Sequence, residues 1–417
     1  MNNKNKYQPL EKSFSIKRVI KNIISIILSP LKYMFPKKYI IFSGTNNYIY
    51  NGNSRYLFEY LSHKSSYKVY WFTRSKKVKK YLSKNNLNYL SYLNPIKLII
   101  ISSMAKIVIN DGDDYLNIFG LSDTKKTYKI SLFHGYGPKT VLVPPSSNSK
   151  SKDLRIDRIN KFDFVNFTSD HLADNVSHEV FGLPKNKVVI LGFPRNDNFY
   201  DHHLTSKAIN TKPVLKSLFK DKVDQQSKTI LYTPTWRPYS YDLPIILSEG
   251  FDKHRFNNFL KSKNIFFVYT THSAHRPDAY LHDASNIKYI DESFCLYDTN
   301  EMMLETDILL NDYSTTSVEF SILKRPQLFC IPDYEFYKQK KGFIDDYINT
   351  MPGACFNDMS DFFTLVSEVL DNHQSYVKKF EKQREVLLDK YYNLPNVKSM
   401  EVYNNFLGNL LDDNREK

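Results

Sequence analysis

Polar side chains follow several of the predicted strands, and together they could bind a diphosphate and move a proton. Arginine can make two parallel hydrogen bonds to a phosphate, and histidine exchanges a proton near neutral pH. Ligands of open α/β sheets bind beyond the carboxyl ends of the strands, so residues at those ends are expected to share a cleft. The candidates at these positions are His134 with Gly135, Arg195, Arg237, His272 with His275, and the run Asp312–Ser317.

The segment Asp307–Arg325 predicts a buried strand, a polar turn and the start of a helix. Ile308, Leu309 and Leu310 form the short apolar run that is typical of a strand covered on both faces. The hydroxyls from Ser314 onwards lie beside the first turn of the helix, where unpaired N–H groups favour a phosphate. Alternatively, Ser314 or Thr315 only caps the helix, which is the commoner use of such residues.

Each of the other candidates has a structural alternative. His134 could be a hydrogen-bonded turn residue, but glycine beside it favours exposure to a cleft. For His272 the two interpretations are equal, and His275 is the weaker candidate. Arg195 and Arg237 could be surface ion pairs, and Lys139 could belong to a solvated basic loop. The run 111–114 resembles a metal site but favours a solvated turn, so neither a metal nor another cofactor is predicted.

These residues lie on a chain that alternates strand and helix from residue 39 onwards. Such alternation predicts an α/β protein with doubly wound, largely parallel sheets. A polar, lysine-rich stretch at 206–228 divides the pattern into two series, so we expect domains at 38–205 and 229–390 and a C-terminal helix within 391–417. The predicted strands are 39–43, 68–73, 106–110, 129–133, 162–168 and 187–191, then 229–233, 265–270, 286–290, 307–310 and 327–331.

The N-terminal segment 1–37 contains a basic amphipathic helix over 17–34. Its apolar positions recur at helical spacing, and its lysines fall mainly on the other side. The apolar part is too short to span a bilayer and is interrupted by Ser29 and Pro30. The pattern fits a helix in the lipid headgroup region and, equally, a helix packed on the body of the protein.

Composition narrows the class of partner. The formal net charge of +14 over 417 residues implies an anionic partner. No nucleic-acid motif accompanies the charge, so nucleic acid is not expected. The three cysteines follow no metal spacing, and their low, odd number favours a reducing compartment.

Five motifs carry a resemblance to a known family, the CDP-glycerol glycerophosphotransferases, which include teichoic-acid primases and polymerases. The motifs appear in the family's order over roughly residues 39–370, and five in order are far more specific than any one alone. They are FHGYGPKT at 133–140, LGFPRND at 191–197, ILYTPTWRP at 230–238, DILLNDYSTTSVEFSILKRPQLFCIPDYEFY at 307–337 and GFIDDY at 342–347.

The resemblance implies a GT-B fold, with two Rossmann-like domains facing a cleft. It implies transfer of glycerol phosphate or ribitol phosphate from a CDP-activated donor to a hydroxyl, with release of CMP. The acceptor would be a membrane-linked or capsular glycan or a teichoic acid, at the cytoplasmic face of the membrane. The first domain would take the acceptor and the second the donor, and activity should require them to close.

The resemblance also assigns roles to residues. His134 would be the general base and His272 the second histidine, near the donor pyrophosphate. Gly135 and Lys139 would serve the acceptor or a phosphate, and Arg195, Arg237, Asp312, Ser314, Thr315, Thr316 and Glu319 would bind the donor. Four departures stand out: the context Thr270-Thr271-His272-Ser273 leaves His275 as a rival, Gly137-Pro138-Lys139 stands where the family has Pro-Leu-Lys, Thr315 replaces a serine, and Glu319 falls where the family usually has aspartate.

Two other functions fit the same residues. A GT-B glycosyltransferase using a nucleotide sugar for surface polysaccharide synthesis is the nearer alternative. A non-catalytic, membrane-bound scaffold for anionic glycan is the other.

Overall fold

The computed structural model of the protein describes most of the chain. The described residues are 23–44, 47, 49–112, 116–118, 120–139, 149–200, 218–219, 222–235, 237, 243–271, 281, 285–290, 298–343, 346–394 and 397–413. The predicted site residue His272, its rival His275 and the first part of the predicted N-terminal helix lie outside this part of the chain.

Two parallel sheets form the framework, one on each side of the predicted linker. The first has the order β3-β2-β1-β4-β5-β6-β7 and the second the order β10-β9-β8-β11-β12-β13. Their apolar strands are buried on both faces because helices cover both sides of each sheet. The doubly wound α/β prediction is confirmed. The strands are β1 Tyr39–Ser43, β2 Val69–Phe72, β3 Tyr89–Leu90, β4 Ala105–Asn110, β5 Tyr128–Ser131, β6 Phe164–Phe167, β7 Val188–Ile190, β8 Lys228–Tyr232, β9 Ile265–Thr270, β10 Ile287–Ile290, β11 Ile308–Asn311, β12 Gln327–Cys330 and β13 Ala354–Phe356.

The described helices connect these strands and close the chain. In order they are α1 Leu31–Met34, α2 Gly52–Lys64, α3 Lys76–Lys84, α4 Pro95–Ser103, α5 Ser149–Ile159, α6 Ser177–Glu179, α7 Asp197–Tyr200, α8 Pro244–Leu247, α9 Lys253–Ser262, α10 Thr299–Leu304, α11 Thr316–Ser321, α12 Tyr334–Lys341, α13 Tyr347–Thr350, α14 Met359–Asp371, α15 His373–Lys379, α16 Glu381–Tyr391 and α17 Ser399–Asp412. A π-helical turn, Leu172–Val176, precedes α6.

Each sheet has one topological switch point, where the strand order reverses. In the first sheet β1 lies between β2 and β4, and in the second β8 lies between β9 and β11. Ligands of doubly wound proteins bind beside such points, at the carboxyl ends of the strands. The loops after β1 and β4 therefore form the first crevice, and the loops after β8 and β11 form the second.

The C-terminal helix α17 returns to the first sheet. Tyr403 and Leu407 are buried in the core of that sheet, together with Ile40 and Ile107. The Asp197 carboxylate accepts hydrogen bonds from the main-chain N–H groups of Ser399 and Met400, at 2.9 and 2.8 Å. A carboxylate there pairs with N–H groups that have no partner within the helix, so the predicted motif residue Asp197 anchors this helix.

The N-terminal segment is helical at 23–28 and again in α1, with Ser29 and Pro30 between. Helix α1 packs against α4. Among the described residues, no helix combines the length and the apolar character that crossing a bilayer requires.

Candidate active site

His134 lies in the loop after β5 and is exposed. Its ring stacks on Phe133, with ring centroids 4.8 Å apart. The ring nitrogen Nδ1 is 3.1 Å from the main-chain carbonyl oxygen of Asp111. A carbonyl can only accept, so Nδ1 carries the proton in this contact, and in the neutral ring Nε2 is then the basic nitrogen. This is the tautomer that a general base requires.

Asp111 itself departs from the predicted solvated turn. It follows β4 and is buried, and its carboxylate accepts hydrogen bonds from the Ser54 N–H and Oγ at 2.9 and 2.8 Å. Burial raises the pKa of Asp111 to about 7, although these hydrogen bonds and Arg195 act in the opposite direction. A strand end at a switch point is enclosed by its neighbours, and this explains why Asp111 is buried.

Arg195 links the two halves of the cleft. It follows β7, and its guanidinium Nε donates to Glu319 Oε2 at 2.9 Å while Nη2 bonds the other carboxylate oxygen. Nη2 also donates to the carbonyl oxygen of His134 at 2.8 Å. Glu319 belongs to α11 of the second sheet, so this bidentate pair joins the halves beside the candidate base.

The loop of the candidate base touches the hydroxyl-rich turn of the second half. A Cβ atom added at Gly135 would lie 2.7 Å from Thr315 Oγ1, and the φ of 144° at Gly135 also favours glycine. Thr315 occupies the position before α11 but makes no side-chain capping bond there. Thr316 Oγ1 instead contacts Thr233 Oγ1 at 2.9 Å, and Thr316 N lies 3.5 Å from Ser314 Oγ, too far for a strong bond. Capping therefore does not account for these hydroxyls.

Arg237 and Asp312 are buried beneath this turn. Arg237 is 2% exposed and Asp312 is 0% exposed. Arg237 Nη1 bonds Asp312 at 2.6 Å, and its Nε and Nη2 bond the Asp333 carboxylate at 2.6 and 2.9 Å. The Thr235 N–H also donates to Asp312 at 2.9 Å. Arg237 is thus an ion-pairing residue. Its ion pairs lie in the interior, whereas the alternative drawn from the sequence was a surface ion pair. Arg237 holds three loops of the second sheet.

Lys139 lies at the other end of the His134 loop and is partly buried. It forms an isolated antiparallel bridge with Phe343, which brings the first and last of the five motifs together. Burial lowers the pKa of the Lys139 ammonium, Asp312 opposes this effect, and Lys341 and Arg237 add to it. A lysine among other cations is suited to an anionic group.

A family model described as CDP-Glycerol:Poly(glycerophosphate) glycerophosphotransferase matches residues 27–405 of the 417 residues. The chain belongs to this family. The predicted membership is confirmed, and with it the prediction of a glycerophosphotransferase-like transferase.

Curated relatives of this glycerophosphotransferase-family chain act on teichoic acids. The teichoic acid glycerol-phosphate primase of Bacillus subtilis (strain 168) is 28% identical over 284 residues, which cover 66% of this chain and 67% of the primase. The teichoic acid glycerol-phosphate transferase of Staphylococcus aureus (strain NCTC 8325 / PS 47) is 22% identical over 402 residues, 91% of this chain and 95% of the relative. The teichoic acid poly(glycerol phosphate) polymerase of B. subtilis is 25% identical over 376 residues, and the match spans only 47% of its length.

Solved structures support the fold. The wall teichoic acid polymerase TagF superposes with a TM-score of 0.70 at 17% identity, covering 97% of this chain and 100% of that one. UDP-GlcNAc 2-epimerase from Neisseria meningitidis superposes with a TM-score of 0.51 at 14% identity, covering 89% and 100%. The predicted GT-B fold is confirmed.

In this family member, the structure brings together five of the predicted site residues. They are His134, Gly135, Arg195, Thr315 and Glu319. Ser314 and Thr316 lie in the same turn, and Lys139 lies at the far end of the His134 loop. Arg237 and Asp312 support the turn from within.

Sequence reasoning missed the buried residues that join the two halves. The Gly52 N–H donates to Asp298 at 2.7 Å, and Arg55 pairs with Glu301 at 3.1 Å. The Asn300 side chain donates to Asn196 at 2.9 Å and to Glu319 at 3.1 Å. The polar run Asn53-Ser54-Arg55 in the first turn of the helix after the first strand was the available signal, because that helix begins beside the switch point of a doubly wound sheet.

Proposed function

We propose that this protein transfers glycerol phosphate or ribitol phosphate from a CDP-activated donor to a hydroxyl of a membrane-linked or capsular glycan or teichoic-acid acceptor, releasing CMP. The observation that carries the proposal is the 3.1 Å contact between His134 Nδ1 and the Asp111 carbonyl oxygen, which favours a proton on Nδ1 and a basic Nε2. The names of the curated relatives supply the substrate class, and the geometry supplies a base beside a turn rich in hydroxyls.

In the proposed step, an acceptor hydroxyl oxygen attacks the phosphorus that carries the polyol. The hydroxyl proton passes to His134 Nε2, and a phosphodiester bond forms to the acceptor. The bond between that phosphorus and the bridging oxygen breaks, and the bridging oxygen leaves on CMP with the electron pair. No metal or cofactor is required by this balance.

We assign the binding of the negatively charged donor to the two facing loops. Ser314, Thr315 and Thr316 supply hydroxyls for the donor phosphates, and Arg195 supplies positive charge beside the base. Glu319 is assigned to the nucleotide end, where it also orients Arg195. Lys139 and Gly135 are assigned to the acceptor side. His272, or His275 in its place, remains the proposed second histidine.

Arg237 and Asp312 have a revised role in this proposal. Their side chains are buried and bonded to each other, so we assign them to positioning the donor turn and not to direct contact with phosphate. Asp333 completes the set, since it bonds the other face of the Arg237 guanidinium.

The test is release of CMP from CDP-glycerol and CDP-ribitol with a lipid-linked or glycan acceptor. His134→Ala should reduce the rate by roughly 10²–10⁴-fold, the usual contribution of a general base. His178→Ala, which removes an exposed histidine on α6, is the control and should keep the wild-type rate. Normal turnover by His134→Ala would contradict the assignment of the base.

Two further measurements separate the alternatives. Thermal stabilisation by CDP and CMP, but not by UDP or GDP, supports a CDP-activated donor and opposes a glycosyltransferase that uses another nucleotide sugar. Glycan binding without CMP release from any donor would support the scaffold instead.

We also propose peripheral association with the cytoplasmic face of the membrane. Ile26 and Ile27 are 72% and 69% exposed in the N-terminal helical segment. Leu93, just before α4, is 79% exposed, and Ile96, in the first turn of α4, is 71% exposed. Helix α1, which follows the N-terminal helical segment, packs on α4. Lysines near these residues, such as Lys97, would face anionic headgroups.

Flotation with vesicles tests this association. The double variant Ile26→Asp, Ile27→Asp should lose binding to vesicles that contain phosphatidylglycerol, while phosphatidylcholine vesicles should bind neither protein strongly. Val386→Asp, on the exposed face of α16, replaces an exposed apolar residue by aspartate elsewhere and should bind as the wild type does. Equal flotation of the double variant and the wild type would contradict the proposal.

A further inference from the structure

The first turn of α2 carries polar side chains that are buried in the protein and do not cap the helix. Asn53 and Ser54 are both 0% exposed. The residue before the helix is Asn51, which makes no side-chain capping bond. The side chains of Asn53 and Ser54 instead bond loops that follow other strands of the sheet, so their polarity must be explained by those loops.

Asn53 holds the main chain immediately before His134. Its Nδ2 donates to the carbonyl oxygen of Phe133 at 2.9 Å, and its Oδ1 lies 3.4 Å from the N–H of Arg195. Phe133 has a φ of 60°, which residues other than glycine seldom adopt. The amide therefore fixes the peptide unit that sets the direction of the His134 ring, in a backbone conformation that needs support.

Ser54 holds the other contact of His134. Its Oγ and N–H bond the Asp111 carboxylate, and the main-chain oxygen of the same Asp111 meets His134 Nδ1. The first turn of α2 thus positions His134 in two ways, through the main chain before it and through the Asp111 contact with its ring. The side-chain hydrogen bonds of Asn53 to Phe133 and of Ser54 to Asp111 lie between buried groups, which are costly to leave unmade. The last bond of the second route reaches the exposed ring of His134.

We propose that Asn53 and Ser54 are positioning residues for the transfer reaction. They fix the orientation and the tautomer of His134 without contacting substrate. This inference rests on the proposed function, in which His134 is the base. Since reacting atoms must be placed closely, a shift of about 1 Å in the base can cost on the order of 10²-fold in rate.

The same turn also touches the second half of the molecule. Gly52 N–H donates to Asp298 at 2.7 Å, and Arg55 pairs with Glu301 at 3.1 Å, so the residues on both sides of Asn53 and Ser54 contact α10 and the loop before it. The base is therefore positioned by an element that is itself held by the donor half. Loss of this positioning should appear in kcat and leave donor KM nearly unchanged.

Asn53→Ala and Asn53→Asp test the inference, with Asn286→Ala and Asn286→Asp as matched controls. The Asn286 Nδ2 donates to the carbonyl oxygen of Ile265 at 2.9 Å, which is the same type of bond. This bond lies in the second sheet, at the amino ends of β9 and β10 and away from the cleft. The Asn53 variants should lose about 10²-fold in kcat with donor KM within about threefold, and the Asn286 variants should keep wild-type kcat.

The pH dependence provides a readout that a structural role would not change. In Asn53→Asp, the new carboxylate near His134 should raise the pKa of the base, so the acid limb of the kcat/KM profile should move to higher pH. Asn53→Ala adds no charge and should lower kcat without that displacement. An acid limb in Asn53→Asp that coincides with the wild-type limb would count against the inference.

Ser54→Ala is the milder variant, because alanine is a good helix former and the main-chain N–H bond to Asp111 remains. It should lower kcat about tenfold, and unchanged kcat would overturn the inference even if the Asn53 variants do not fold. His134→Ala distinguishes the two proposals. Turnover by His134→Ala refutes the base itself, whereas an inactive His134→Ala with fully active Asn53 and Ser54 variants refutes only the positioning role.

Discussion

Two arginines at strand ends, Arg195 and Arg237, were expected to act alike, and the structure gives them different surroundings. Both form ion pairs and both lie against aromatic rings, Arg195 at 5.3 Å from Phe193 and Arg237 at 5.1 Å from Tyr313. The partners of Arg237, Asp312 and Asp333, belong to the second half of the molecule, as Arg237 does. Arg195 is paired across the cleft, with Glu319.

This difference teaches what each arginine can contribute. Arg237 is enclosed within one half, so its ion pairs can only hold the loops of that half together. Arg195 contacts the opposite half and the carbonyl oxygen of His134, so its geometry depends on how the two halves meet. The first arginine should therefore affect mainly the stability of the fold, and the second should affect mainly catalysis.

Removal of Arg237 should have the largest effect on stability. Arg237→Ala leaves Asp312 buried without its charge partner, and breaking such a pair typically costs about 3–5 kcal/mol. Urea unfolding should show this loss in the free energy of unfolding. Arg255→Ala, at an exposed arginine of α9, is the control and should change it by less than about 0.5 kcal/mol. A loss below about 1 kcal/mol in Arg237→Ala would remove the distinction between the two arginines.

Arg195→Lys should show the opposite pattern. Lysine retains the charge but cannot form the bidentate pair with Glu319 while also reaching the His134 carbonyl. We expect a loss of about 10²-fold in kcat, which is typical for one lost electrostatic contact in an active site. Because lysine still supplies a charge partner for the buried Glu319 carboxylate, the free energy of unfolding should fall by less than the loss of about 3–5 kcal/mol that we expect for Arg237→Ala.

Arg237→Lys is the natural comparison for that variant. If Arg195→Lys loses stability and Arg237→Lys loses only activity, the assigned roles must be exchanged.

A methyl group at Gly135 should have a smaller effect, limited to the meeting of the two halves. Gly135→Ala places Cβ against Thr315 Oγ1, so the cleft should open slightly and activity should fall roughly tenfold. Gly182→Ala is a matched control because Gly182 also has a positive φ, 61°, but no atom lies within 4 Å of an added Cβ. Equal activity of the two variants would show that close approach at Gly135 is not required.

The residues that sequence could identify are those whose position follows from local pattern. His134, Arg195 and Thr315 follow strands that periodicity predicts, and parallel strands end at one edge. Two strands were missed, β3 and β13, because two or three residues are too few to show a pattern. The end of the chain forms three helices, α15 to α17, with Pro395 between the last two.

The residues that sequence could not place are those whose role depends on distant partners. Asp333 lies 96 residues beyond Arg237, and nothing local indicates that the two are buried together. Ser54 and Asp111 meet because β4 lies beside β1, and this adjacency is a property of the sheet order and not of either segment. Burial of these polar groups therefore had to be observed.

The carboxylates around the cleft should give the smallest effect, a dependence of stability on pH. Burial raises the pKa of Glu301 to about 7, even though Arg55 acts to lower it, and burial also raises the pKa of Asp111 to about 7. The folded protein then holds protons that the unfolded chain releases above a pH of about 4. The free energy of unfolding should therefore fall as pH rises from about 4 to about 7, since proton release favours unfolding.

Glu301→Gln isolates this contribution. The net charge of +14 declines as pH rises, so general charge repulsion weakens and acts in the opposite direction. Charge repulsion affects the wild type and Glu301→Gln alike, so it cancels in the difference between their Tm values. Between pH 5 and pH 8 the wild type should lose about 2 °C relative to the variant. The raised pKa of Glu301 is worth roughly 2 kcal/mol over this range, and 1 kcal/mol shifts the Tm of a chain of this length by about 1 °C. A wild type that gains stability relative to Glu301→Gln over this range would mean that Arg55 keeps Glu301 ionised, and the interface would then contain a second fully charged pair like that of Arg195.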